Sequence, residues 1–263
     1  MYSFEKWLVT VPVPYDWRQS ILVSVDTFKA ALDETKRKYK AAKVDVVAHS
    51  MGGLIVREYI QNSSYSGDIR KFMMLGTPNN GAVDAYYVWE GGVILGASFD
   101  WDEVFIDIAI QYMKLGCGGG ITNFSFIRNR IPSLKELLPT FPFLLLPGFS
   151  TVPQPLVCEI NTVLRDLNAG ISDLTSKAVD IRIFAGTGQD TPGDLTIQNI
   201  AVPCAADTKW TDGQPGVQSY LDGDMTVLES RISIGGIPVV TKPAAHGQLP
   251  SSFSAEVLEF LQQ

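Results

Sequence analysis

The stretch Val44 to Ile60, VDVVAHSMGGLIVREYI, constrains the fold of this chain more than any other. Val44 to Ala48 is apolar and β-branched and reads as a strand, and Leu54 to Gln61 reads as a helix. Ser50 sits between them and could simply cap that helix. Two glycines follow almost at once, and glycine weakens a first helical turn. A nucleophile elbow explains both features. Its usual pattern is G-x-S-x-G, here with Ala48 in the first place. The turn is strained, so the serine Oγ projects above the sheet. Small residues two before and two after the serine let strand and helix approach, and the extra methyl of Ala48 is expected to fit. The N-terminus of the following helix then faces the site, where it favours a developing oxyanion.

The rest of the chain alternates in the same way. Trp7 to Val13 reads as a strand ending at Pro12 and Pro14. A helix follows with Ile21, Val25, Phe28 and Leu32 on one face and Lys29, Asp33, Lys36 and Lys40 on the other. The basic run Lys36-Arg37-Lys38 reads as a solvated helix face. Lys71 to Leu75 and Val179 to Ala185 are further strands, each stopped by turn residues. Ile232 to Thr241 contains another, with a hairpin around Gly235-Gly236 as one reading. Ser254 is placed to cap a last helix carrying Val257, Leu258 and Leu261. Strands alternating with helices predict an α/β fold, a mainly parallel sheet with helices on both faces. Residues 82–177 break the rhythm with Gly, Pro, aromatics and a helical piece from Trp101 to Met113. They are expected to form a cap inserted over the sheet, within one domain spanning residues 1–263.

Composition excludes several classes of function. The net charge is −7 and no basic stripe appears, so a nucleic-acid partner is not expected. No apolar run reaches the roughly 18–20 residues of a membrane span. The richest, Phe141 to Phe149, is short and broken by prolines. Cys117, Cys158 and Cys204 lack CxxC spacing, so one disulfide would leave an odd thiol. Two histidines are too few for a His-rich metal site. Neither a metal nor another cofactor is expected, and no signal peptide is visible.

A serine hydroxyl needs a base. His49 adjoins Ser50, so its side chain should leave the turn in another direction. His246, in PAAHGQLP after the last strand, obeys the chain order Ser, acid, His. The acid must lie between. LDGDMTV, Leu221 to Val227, offers Asp222 and Asp224, which position alone leaves tied. Asp190, Asp194, Asp207 and Asp212 are less favoured. The same fold takes one oxyanion donor from the residue after the nucleophile, here the main-chain N–H of Met51.

Six segments together resemble the lecithin:cholesterol acyltransferase-like group of α/β-hydrolase lipases. They are PYDWR (Pro14 to Arg18), AHSMGG (Ala48 to Gly53), LGTPNNG (Leu75 to Gly81), PSLKELLPT (Pro132 to Thr140), GDMTV (Gly223 to Val227) and HGQLP (His246 to Pro250). They follow the family's order across nearly the whole chain. The family's acid segment reads GDGTV, so the resemblance implies Asp224 as the acid, with Met225 replacing a glycine. It also implies a triad of Ser50, Asp224 and His246 that cleaves lipid acyl esters through an acyl-enzyme. Water would release the acyl group in a lipase or esterase, and an alcohol acceptor in an acyltransferase. Phe141, Phe143, Leu144, Leu145 and Leu146 are then candidates for an acyl pocket or lid, or for the core of the cap. Implied partners are a lipid or ester substrate and transient contact with a lipid surface. The implied location is secreted or cell-envelope.

In that family Trp7 to Val13 would correspond to the fourth strand. The strands before it, with the loop carrying the second oxyanion donor, are expected to be missing. The gap would fall beside the Val44 strand. A fragment, a sheet closed up by pairing the Trp7 strand with the Val44 strand, or strands supplied by a partner would each account for it. A truncated chain would be catalytically impaired.

Overall fold

A computed structural model describes residues 9–93, 110–111, 113–114, 116, 122–148, 150–198 and 208–263. Its central sheet has four parallel strands: β1 (Val44–His49), β2 (Ile69–Leu75), β4 (Asp180–Thr187) and β7 (Val239–Pro243), in the order β1-β2-β4-β7. Strand β2 explains the unbroken apolar run KFMML. Phe72 and Met74 point into one hydrophobic cluster, and Met73 and Leu75 into another on the opposite face. A strand covered on both faces has no polar side to alternate with.

One face carries α1 (Ile21–Tyr39) and α2 (Met51–Gln61), and the other carries the C-terminal helix, Ser254–Gln262, through Val257 and Phe260. Ile21, Val25, Phe28 and Leu32 are all buried, as the helical spacing predicts. Two details differ from the sequence reading. Lys36 leaves the basic face to pair with the buried Asp68 carboxylate at 2.9 Å. The C-terminal helix begins at Ser254 after Phe253, with no side-chain cap.

The expected first strand is absent from residues 9–13, which are irregular, and nothing among the described residues pairs with the outer edge of β1. Pro12 and Pro14 remove two main-chain donors, and Val9 is 71% exposed. A β-branched run needs a partner strand and a burying face, and Val9 to Val11 have neither. The sheet therefore has not closed up through these residues. Nor is there a hairpin at Gly235-Gly236. That turn, with φ +56° and +70°, leads from a short helix (Glu229–Ile232) into β7, which joins β4 in parallel.

A second layer surrounds its own hydrophobic cluster. It contains α3 (Asp84–Gly91), α4 (Asn123–Arg130) and the two-residue strand β3 (Leu144–Leu145). It also contains a hairpin the sequence did not signal, β5 (Gln189–Gln198) with β6 (Gln214–Gly223), in the order β3-β5-β6. Pro192 and Gly193 inside β5 disguise it as a loop, and the ladder shifts register there. Leu164, Leu167 and Leu174, within the stretch expected to form the cap, pack instead with α1 and α2. Most of the expected helix Trp101 to Met113 lies outside the described residues.

Glu136 ties the layers together. Its carboxylate accepts hydrogen bonds from Ile21 N–H and Ser20 Oγ–H, both at 2.6 Å, and so caps the first turn of α1. Within the second layer, buried Arg128 pairs with Glu90 at 3.0 Å and Glu159 at 2.9 Å. Burial pushes the Glu90 carboxyl up to about 7.

Candidate active site

Ser50 has φ 54° and ψ −134°, a left-handed conformation that a non-glycine residue adopts only where the surroundings impose it. The surroundings here are the end of β1 and the start of α2. Ser50 N–H donates to Leu75 O at 2.9 Å, and Ser50 O accepts from Gly53 N–H at 3.0 Å. The hydroxyl makes no cap bond to the helix, so the N-cap reading of this serine does not hold. Met51 opens α2, and its main-chain N–H is one of the first-turn donors without an intrahelical acceptor.

The two glycines after the serine differ in kind. A Cβ at Gly52 would meet only ordinary contacts, at 3.7 Å from Tyr15 Oη and 3.9 Å from Ala48 Cβ. A Cβ at Gly53 would overlap the Thr77 side chain. Thr77, two residues beyond β2, is fully buried, so it has little room to move. Gly52 faces Ala48 across the β1–α2 junction, as the pattern of small residues expects, and Gly53 adds a tighter approach to the segment after β2. Gly53→Ala is expected to lose about 1–3 kcal/mol of stability through overpacking. Gly52→Ala should be neutral or gain up to about 1 kcal/mol from its better helix propensity. Urea unfolding midpoints of the two variants check this, and equal midpoints would sink it.

Asp224 follows β6 and is fully buried. Its Oδ1 accepts from Thr226 N–H at 3.0 Å and Val227 N–H at 2.7 Å. Its Oδ2 lies 2.8 Å from His246 Nδ1. The neighbouring candidate, Asp222, is exposed, and its Oδ1 accepts from Gly188 N–H at 2.6 Å at the β4–β5 turn. Of the remaining acids, Asp212 is taken up by the main-chain N–H groups of Cys158 and Glu159. Asp207 lies outside the described residues. Chain position left Asp222 and Asp224 tied, and inside one strand residues two apart would share a face. Strand β6 ends at Gly223, so Asp224 leaves that alternation and its carboxylate meets His246, while that of Asp222 meets Gly188 N–H.

Met225, which stands where the resembling motif GDGTV has a glycine, has φ +84°. Its N–H donates to Thr191 Oγ1 at 2.9 Å, which helps hold the strained turn. Met225→Gly is expected to raise stability by about 1 kcal/mol by relieving the left-handed backbone. An unchanged or lowered denaturation midpoint would show that the methionine side chain outweighs the strain.

His246 begins a short 3₁₀ turn after β7. Its Nε2 lies 2.9 Å from Ser50 Oγ, and its N–H donates to Asp224 O at 2.7 Å. A carboxylate only accepts, so Nδ1 carries the proton towards Asp224 and Nε2 is the acceptor facing the serine. Gly76, with φ +59°, makes room for the ring: a Cβ there would stand 3.0 Å from His246 Cε1 and would also crowd Leu249. His49 makes no bond to Ser50. Its ring lies beside that of His246, with centroids 4.7 Å apart, and its Nε2 is 2.9 Å from the main-chain oxygen of His246. The sequence left His49 as the less favoured base and pointed to no other use for it.

The candidate acyl-contact residues fall in the second hydrophobic cluster or at its edge. Phe141, Phe143 and Leu144 are buried in the second hydrophobic cluster, while Leu145 and Leu146 are half-buried. Phe143 and Leu144 line a cavity with Tyr86, Leu138, Val157 and Asp212, with room for about one water and none for an acyl chain. Cys158 is disulfide-bonded, and the other two cysteines lie outside the described residues. Among the described residues, no group of His, Cys, Asp or Glu side chains could hold a metal ion, and no helix is long and apolar enough to cross a membrane.

Residues 4–102 match the family model described as lecithin:cholesterol acyltransferase. That match includes Ser50 and ends before the segments that carry Asp224 and His246. Mature Bacillus licheniformis lipase BlEst2 superposes with a TM-score of 0.51 at 12% identity, covering 92% of this chain and 74% of that one. Its propeptide form gives 0.49 at 12% identity, covering 92% and 40%. Legionella pneumophila phospholipase PlaB in complex with thio-NAD gives 0.42 at 12% identity, covering 94% and 47%. The chain thus spans less than half the length of the last two. No curated protein sequence matches it. The first superposition, with the parallel sheet and its flanking helices, identifies the α/β-hydrolase fold.

Proposed function

Starting from a chain with the α/β-hydrolase fold, whose residues 4–102 match the lecithin:cholesterol acyltransferase model, we propose that it is a serine hydrolase of lipid acyl esters. The observation that carries this reading is one hydrogen-bonded line. Ser50 Oγ is 2.9 Å from His246 Nε2, and His246 Nδ1 is 2.8 Å from Asp224 Oδ2. His246 takes the Ser50 proton as Oγ attacks the ester carbonyl. The tetrahedral oxyanion is held by Met51 N–H and the N-terminus of α2. Collapse expels the alcohol, which takes its proton from His246, and leaves the acyl group on Ser50. Water, activated by His246, then releases the acid. Asp224 orients the imidazole and stabilises its cation without itself taking the proton.

The second layer, built largely from residues 82–177, serves in this reading as a cap beside the site and as the face that meets a lipid surface. A second reading is acyl transfer to a lipid alcohol, favoured by the description of the matching family model. The two share the same acyl-enzyme and differ in what attacks it. Hydrolysis of p-nitrophenyl butyrate and palmitate, with and without a long-chain alcohol, separates them. Free fatty acid as the main product supports the hydrolase, and an alkyl ester supports the transferase. A folded protein that turns over neither substrate and does not react with a fluorophosphonate at Ser50 would overturn both.

A further inference from the structure

His49 is half-buried, aromatic and beside the nucleophile, yet the mechanism leaves it without a task. We propose that His49 is a positioning residue, whose imidazole donates from Nε2 to the main-chain carbonyl of His246 and so holds the base in register with Ser50. This inference rests on the reading of His246 as the base.

The contact is specific. A carbonyl oxygen only accepts, so His49 Nε2 must carry the proton in the 2.9 Å bond. The same carbonyl also accepts from Leu249 N–H, which uses its other lone pair. Residue 246 is then held at every polar group it has. Its N–H is bound to Asp224 O, its C=O to His49 and Leu249, its Nδ1 to Asp224 and its Nε2 to Ser50. The His49 side chain is anchored on the elbow and its partner on the loop after β7. It is therefore a direct strut between the two loops that must stay in register. A base displaced by about 1 Å loses about two orders of magnitude in rate.

The strut also has to be neutral, because His246 becomes a cation in each half-reaction and its ring is 4.7 Å away. Burial, and then the neighbouring His246 ring, lower the His49 pKa to about 4, while the hydrogen bond to the His246 carbonyl and then Asp224 act the other way. At neutral pH His49 therefore adds no repulsion to the imidazolium. The depressed value also links His49 to folding. Between about 4 and 6.5 the unfolded chain binds a proton that the folded chain does not, so stability falls as pH falls through that window.

The test compares His49→Phe, which keeps a ring and removes the donor, with His49→Gln, whose side-chain N–H can occupy the place of Nε2. His49→Phe should lower kcat by about 10–100-fold with little change in KM. It should slow fluorophosphonate labelling of Ser50 by a similar factor and flatten the acid loss of stability. His49→Gln should recover most of the rate. Nitrogen-15 spectra provide a readout independent of any substrate, since only two imidazoles exist. In the wild type His49 should be an Nε2–H tautomer that stays neutral well below pH 6. In His49→Phe the Nδ1–H of His246 should exchange with water at least tenfold faster. An Nδ1–H tautomer at His49, or a folded His49→Phe with unchanged kcat and exchange, would overturn the proposal. If the wild type neither turns over esters nor labels at Ser50, the hydrolase reading falls and the spectra alone decide the His49 contact.

Discussion

Ser50→Ala is expected to abolish ester hydrolysis, with kcat lower by about 10⁶ where nucleophile and base act as one unit. The substitution removes one oxygen from a half-buried side chain that caps no helix. Stability should therefore change little, and alanine at φ 54° is strained about as much as serine. A fluorophosphonate should label wild-type protein at Ser50 and leave Ser50→Ala unlabelled. Labelling of a different serine in the folded wild type, or more than about one-thousandth of the activity surviving in Ser50→Ala, would show that the elbow is not the nucleophile's seat.

The second large effect separates two acids that are two residues apart. Asp224→Asn should cost about 10⁴ in kcat, because an amide facing Nδ1 can hold the wrong imidazole tautomer. Asp222→Asn should cost no more than a fewfold. Its carboxylate is exposed and bonds Gly188 N–H, an acceptor role that the Asn carbonyl oxygen can keep. Activity at matched folded fraction checks the pair. A larger loss in Asp222→Asn would move the acid and break the proposed line through His246.

The structure also explains why some expectations were met and others were not. Burial along α1 follows from its helical periodicity, and the two-sided burial of β2 suits its continuous apolar run FMML, because the hydrophobic effect acts on every apolar side chain in the same way. The run Trp7 to Val13 had the composition of a strand, but composition says nothing about a partner. Two prolines and exposed valines left residues 9–13 irregular. The β5–β6 hairpin was hidden for the opposite reason. Tertiary pairing accepted Pro192 and Gly193 at a register shift that local signals read as a loop.

At the site, local chemistry determined only part of the arrangement. The strand, the serine, the glycines and the helix follow one another in the chain, so the elbow at Ser50 was legible from the sequence. The reason for the second glycine was not. Gly53 is packed against Thr77, twenty-four positions later in the turn after β2, and that contact exists only once β2 lies beside β1. Asp222 and Asp224 were equal by position, and the resemblance to a family motif favoured Asp224. In the structure β6 ends at Gly223, and the bend that follows turns Asp224 towards His246 while Asp222, still in the strand, meets the β4–β5 turn. The bond from His49 to the main chain of His246 spans 197 positions. No periodicity or spacing encodes such a contact. It comes from two loops meeting at the same end of a parallel sheet, which only the packing of the strands between them decides.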